Sequence, residues 1–219
     1  MIQARNVNQA VPGRSAGETA ILGAAVKLFS EKGYDAVSMR GVAQEAGVSK
    51  ANIYHHFESK EALYRAILFA SAAELSGLVS GLAESGGSFA ARIFEFSSAH
   101  LGHLQENALT SRLILREAFS GDDVRSKMLV DEVFGEIFER LVSIFRSGQQ
   151  AGVLRADLDP ALCATLLIGA DVFFFQAGGV LKHLPQAGFA QNPSRFSQQM
   201  VEVMLNGMLC RASGQEKAK

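Results

Sequence analysis

The stretch from Ser38 to Phe57, SMRGVAQEAGVSKANIYHHF, constrains this chain more than any other. It holds two helical patterns, each too short to persist alone, since a helix under about 12 residues is marginal in water. Ser38 is placed to cap the first, and Val42 and Ala43 give it an apolar side. Gly47 supplies the turn. Ser49 is placed to cap the second, whose Ile53 and Phe57 fall at i, i+4. Short helix, tight glycine turn, short helix is the helix-turn-helix pattern, and both members must borrow a core from their neighbours.

The neighbours are helical too. From about Ala16, Ile21, Leu22, Ala25, Leu28 and Phe29 make one apolar stripe, and Gly33 ends it as a cap. Ser59 is placed to cap a long apolar helix, KEALYRAILFASAAELSGLVSGL. SFAARIFEFSSAHLGHLQ and ALTSRLILREAF read as further helices, then DDVRSKMLVDEVFGEIFERLVSIFRSGQQ with Asp122 or Asp123 at its start. Asp159-Pro160 and Asn192-Pro193 each pair a cap with proline at the first helical position. No stretch alternates like a strand. The predicted fold class is all-α, with about nine helices.

Composition limits the function. Hydrophobic residues make up 48% and charged residues 20%, ordinary for a soluble globular chain. From Met1 to Arg65 there are eight Lys/Arg against six Asp/Glu, and thirteen against sixteen in the remainder, so the front is mildly basic and the back acidic. Cys163 and Cys210 lie far apart with no metal-ligand spacing and read as core thiols of a reducing cytoplasm. The first residues contain no apolar signal region, so the expected location is cytoplasmic. Pro160 to Leu181 is long enough to span a bilayer, but Asp171 at its centre would cost about 2.5–3.5 kcal/mol there. A membrane is therefore not an expected partner. No GxGxxG after a strand, P-loop, HExxH or nucleophile elbow occurs, so an enzyme is not expected.

The string AAVKLFSEKGYDAVSMRGVAQEAGVSKANIYHHFESKEALYRAI resembles the tetracycline-repressor (TetR) family of bacterial transcription regulators. The resemblance covers about Ala16 to Ala66 and rests on the whole register: F-x-x-x-G-[YF], a serine entry, V-A-x-x-A-G-V-S, and Y-x-H-F-x-x-K-x-x-L. It implies a flexible arm over residues 1–15, a helix-turn-helix DNA-binding domain over 16–62, a ligand-binding and dimerisation domain over 63–212, and a tail over 213–219. The expected function is a ligand-responsive repressor that binds a palindromic operator as a homodimer and is released by a small apolar or amphipathic effector, with no cofactor.

A recognition helix needs its N-terminal residues at base edges and flanking donors on phosphates. Lys50 suits guanine O6/N7, Asn52 suits adenine N6/N7, and Ala51 suits a thymine methyl. Ser49 caps the helix whose N–H end would face a phosphate. By the resemblance, Tyr54 and His55 donate to phosphate, Lys60 is a phosphate-binding lysine, and Arg40 contacts backbone or base. His56 either joins the phosphate contacts or bonds within the three-helix unit. Two positions depart from the family's habit: Ala51, where glycine or proline is common, and His55, where an aromatic is common. Arg5 and Arg14 either reach a minor groove or form a bare tail.

The resemblance also implies an effector pocket among the middle helices and dimerisation through the last two long helices, Asp159–Leu181 and Asn192–Leu209. Polar residues on apolar helices are the candidates for orienting an effector: His100, His103, Arg112, Arg116, Asp171 and Gln176. Phe119, Phe134, Phe138 and Phe174 are candidates for its walls. Arg112 and Arg116 share a helix face and read either as an anion clamp or as a salt-bridged surface. His100 and His103 share a face as well, but no third ligand stands at a complementary spacing, so no metal is expected.

Overall fold

A computed structural model describes residues 14–208. Residues 1–13 of the expected arm, with Arg5, and residues 209–219, with Cys210 and the expected tail, lie outside the described residues. The all-α class is borne out: the described residues form nine helices and no strand. They are α1 Ala16–Lys32, α2 Met39–Glu45, α3 Lys50–His56, α4 Lys60–Glu84, α5 Phe89–Glu106 and α6 Ala108–Ala118, then α7 (residues 123–150), α8 Pro160–Leu181 and α9 Pro193–Met208. A single 3-10 turn, Gly188–Gln191, precedes α9.

The caps read from the sequence at Ser38, Ser49, Ser59, Asp122, Asp159 and Asn192 are made, and Ser15 and Ser88 add two more. Ser15, Ser38, Ser49, Ser59 and Ser88 each accept a backbone N–H three residues on, at 3.0–3.2 Å. Asp122 accepts from Val124 and Arg125, Asp159 from Ala161, and Asn192 from Arg195. Such caps contribute about 1 kcal/mol each. Gly33 (φ 85°) and Gly47 (φ 67°) take the positive φ that lets α1 stop and α2 turn into α3.

The long helix α7 contains something the periodicity does not announce. Residues Leu129–Phe134 form a π-helical turn. Gly135 permits it, because a Cβ there would lie 2.5 Å from the Val130 carbonyl oxygen.

The chain divides into two compact units. One comprises Arg14 to Glu74 with His103–Gly135; the other comprises Leu75–Gly102 with residues 136–208. Helices α4, α5 and α7 each contribute to both. In the first unit α1, α2, α3 and the start of α4 share a core of Ile21, Phe29, Val42, Ile53, Leu63 and Leu68. In the second, Phe89 meets Phe145 edge-on at 5.8 Å, and Phe174 stacks on Phe196 at 4.1 Å. Arg155 ties the loop after α7 to the end of α9, donating its N–H to Met208 and its guanidinium to Gly207.

Helices α4 and α8 are both long and apolar enough to cross a membrane. In α8, however, Asp171 is fully buried in protein, where Ser97 Oγ donates to Oδ1 at 2.8 Å and His100 Nδ1 lies 2.9 Å from Oδ2.

Candidate nucleic-acid interface

Helix α3 buries one residue completely, Ile53, and Phe57 follows it into the core. That single apolar line leaves the rest of the helix outside: Lys50, Ala51, Asn52, Tyr54 and His55 are all exposed, with Ser49 at the N-cap. Lys50 Nζ lies 5.8 Å from the Tyr54 ring centre, one turn on. Arg40 is exposed on α2. The α3 residues among these give the helix an exposed, largely polar side opposite Ile53 and Phe57. That arrangement can enter a major groove.

The remaining sequence candidates are placed differently. His56 is half-buried, with its ring edge-on to His55 at 5.2 Å and tilted against Phe57 at 6.4 Å. A Cβ on Gly17 would lie 3.6 Å from both His56 Nε2 and Asn52 Oδ1, so these two side chains run along the first turn of α1. Arg14 pairs with Glu18 across that same turn. Lys60 donates to the Tyr34 carbonyl at 3.0 Å and sits 4.3 Å from the Tyr34 ring centre.

The candidates for an effector site divide between the two units. His100, Asp171 and the buried Ser97 form one cluster, with the Phe96 ring stacked on His100 at 5.7 Å. Burial raises the Asp171 carboxyl above its usual range, against the opposing pull of His100 and Ser97. Phe174 lies in the same unit, buried against Phe196, while Gln176 is exposed. His103 belongs to the other unit, with Nδ1 at 3.1 Å from Glu74 and 3.2 Å from Asn107. Arg116 donates to the carbonyls of Phe29 and Ser30 at the end of α1. Phe119 is 72% exposed, Phe138 and Arg112 are exposed, and Phe134 is intermediate. Among the described residues no group of three or more His, Cys, Asp or Glu could hold a metal ion.

Two features stand apart from these candidates. Glu117, buried on α6, pairs with Arg125 of α7 at 2.9 Å. An apolar face on α8 and α9 stands open: Phe173 is 61% exposed, Val180 68% and Val203 75%. A shallow groove beside it is lined by Leu166, Phe189, Phe196, Met200 and Met204.

A helix-turn-helix with this surface defines a DNA-binding protein. Residues 21–67 match the family of bacterial regulatory proteins called tetR. The chain is 26% identical to the transcriptional regulator UidR of Escherichia coli (strain K12), over 87% of this chain and 92% of that one. It is also 26% identical to the transcriptional repressor KstR2 of Rhodococcus jostii (strain RHA1), over 71% and 76%. Among solved structures, the TetR-family transcriptional regulator PfmR of Thermus thermophilus superposes with a TM-score of 0.70 at 25% identity, covering 91% of this chain and all of that one. Residues 21–67 carry the DNA-binding domain of TetR-family regulators, and the similarity to transcriptional regulators extends over most of the chain.

Proposed function

We propose that this regulator is a repressor that binds a palindromic operator as a homodimer and leaves it when a small apolar or amphipathic effector binds. Residues 16–62 read the DNA. Lys50, Ala51 and Asn52 meet base edges, while Ser49, Tyr54, His55, Lys60 and Arg40 serve the backbone. The observation that carries this reading is the exposed polar row on α3, on the side opposite the buried Ile53 and Phe57. His56, half-buried beside Gly17, is assigned to holding α3 against α1 rather than to phosphate.

Residues 63–212 serve dimerisation and effector binding. The open apolar face of α8 and α9 supports pairing with a second copy, since exposed Phe173, Val180 and Val203 gain most by leaving water. Half-sites would then lie about 34–36 Å apart or a small multiple of that. The His100–Asp171–Ser97 cluster is the proposed polar anchor near the effector, with apolar side chains such as Phe174 around it. Effector binding acts by population shift along α4. Near-complete release takes about 5 kcal/mol of differential affinity for the form that does not bind DNA. The protein acts in the cytoplasm.

The test is a footprint on the DNA flanking the gene for this protein. Parent protein should protect a two-fold symmetric site, and the Lys50→Ala, Asn52→Ala, Tyr54→Ala triple variant should not, while keeping its melting temperature. Protection by the variant equal to the parent would remove α3 as the reader.

A further inference from the structure

The first unit contains a run of contacts from the buried end of α6 to Lys60, the proposed phosphate lysine. It begins with Glu117, which is 4% exposed and faces two guanidinium groups: Arg125 Nη1 at 2.9 Å and Arg116 Nη2 at 4.0 Å. Each arginine then serves the far corner of the helix-turn-helix. Arg116 donates to the Phe29 and Ser30 carbonyls, which close α1. Arg125 reaches Asp35 in the α1–α2 loop at 3.4 Å, and its guanidinium carbon lies 5.2 Å from the Tyr34 ring centre. Asp122, the cap of α7, holds Arg125 from a third side at 3.5 Å.

Tyr34 is the shared piece. Its ring stacks on Phe29 at 5.7 Å and meets Tyr64 edge-on at 5.0 Å. Lys60 uses both parts of the same residue, placing its ammonium 4.3 Å from the ring centre and 3.0 Å from the carbonyl oxygen. An ammonium has three donors. One goes to the Tyr34 carbonyl, and a second points at the Asp35 carbonyl at 3.5 Å, which leaves one for an acceptor outside the protein. Lysine is a flexible point charge, so its phosphate contact depends on what holds it beforehand. Here the holder is the Tyr34–Asp35 loop, and Arg125 is bonded to that loop and to a carboxylate out of reach of water.

We propose that Arg125, fixed by Glu117, is a positioning residue for DNA binding: it sets the Tyr34–Asp35 loop, and through that loop the direction in which Lys60 meets a phosphate. The α6–α7 corner then tunes affinity for any duplex without touching DNA. This rests on the assignment of Lys60 to phosphate given above.

The experiment uses the full chain and a fluorescein-labelled duplex of mixed sequence, because a phosphate contact needs no operator. Anisotropy is followed across a salt series. Arg125→Gln should weaken binding about threefold to tenfold and flatten the plot of log affinity against log salt by up to about 0.9, the value of one phosphate. Lys60→Ala should do the same, and the two together should lose no more than Lys60→Ala alone. Arg125→Lys, which keeps a cation beside Glu117, should restore most of the loss. If Arg125→Gln melts at the assay temperature, Glu117→Gln combined with Arg125→Gln removes the buried charge together with its partner and should show the same binding loss. Parent-like binding by the Arg125 variants, or a loss that adds in full to that of Lys60→Ala, overturns the relay while leaving Lys60 on phosphate. Parent-like binding by Lys60→Ala overturns the phosphate assignment, and the relay with it.

Discussion

Helices α3 and α8 solve opposite problems. The seven residues of α3 put polar side chains outside and one isoleucine inside, which is what water favours. The twenty-two residues of α8 bury Leu167 and Phe174 but also go against water: Leu162, Leu166, Phe173 and Val180 are exposed, while Asp171 is buried. A polar surface by itself carries little information, because solvated helices look the same. An apolar surface and a buried acid each cost free energy in the isolated chain and therefore mark a task. So the DNA-reading assignment of α3 leans on its capped register and its place in a helix-turn-helix. The assignments on α8 lean on local physical cost.

The largest effect should come from the buried acid. Asp171→Ala leaves Ser97 without its acceptor and His100 without its partner, and removing one member of such a buried cluster costs about 3–5 kcal/mol. Urea unfolding should show a matching drop in midpoint with little change in slope. The pH dependence has a definite sign. Burial raises the Asp171 carboxyl above its ordinary 3.8. Its contribution is therefore fully present below that value and is lost as pH rises through the raised one. Asp171→Asn, which cannot ionise, should gain stability relative to the parent across the same interval. If the difference between the two is flat from pH 4 upward, Asp171 does not titrate in the folded protein as described.

The next effect concerns the face that α8 turns outward. Phe173→Glu should weaken self-association by at least about thirtyfold, the size of a central interface anchor. Because Phe173 is exposed in the isolated chain, the folded protomer should keep its stability. Sedimentation velocity over a concentration series separates the two. An unchanged association constant would mean that this face is not the dimer contact.

On α3 the expected losses are smaller. Asn52→Ala should cost about 1–3 kcal/mol of operator affinity if the amide reads an adenine, and the loss should be confined to one base position. The proximity of Asn52 to Gly17 sharpens this test. A uniform loss over all operator variants would place Asn52 with His56 as a brace between α3 and α1.

Much of the fold was legible in the sequence, and for a local reason. Caps, glycine turns and apolar stripes are decided within four residues, and Ser38, Ser49, Ser59, Asp159 and Asn192 all act where the spacing put them. The helix-turn-helix was legible on the same terms. The surroundings of the effector candidates were not, because they are decided by distant partners. Arg112 and Arg116 do share a face at i, i+4, but the Arg116 guanidinium lies on carbonyls 86 and 87 residues away. Glu117 looks like any surface acid until Arg125 is folded beside it. The π turn escaped as well. Its trace is one glycine, Gly135, in a helix whose apolar pattern runs on undisturbed.

The smallest effect separates two jobs that Ser49 performs at once. Its hydroxyl accepts the Asn52 N–H at 3.1 Å and so starts α3. The same N-terminus is proposed to face a phosphate. Ser49→Ala removes the cap and should lower stability by about 1 kcal/mol. Ser49→Asp keeps the cap, since aspartate accepts the same N–H and its charge suits a helix N-terminus. In the presence of DNA that charge instead faces a polyanion. The aspartate variant should therefore melt like the parent yet bind DNA more weakly, and more so at low salt, where like-charge repulsion is least screened. Thermal melts and anisotropy on the same samples give both numbers. Parent-like DNA binding by Ser49→Asp would move the phosphate away from the start of α3, and the comparison with α8 would then rest on Lys50 and Asn52 alone.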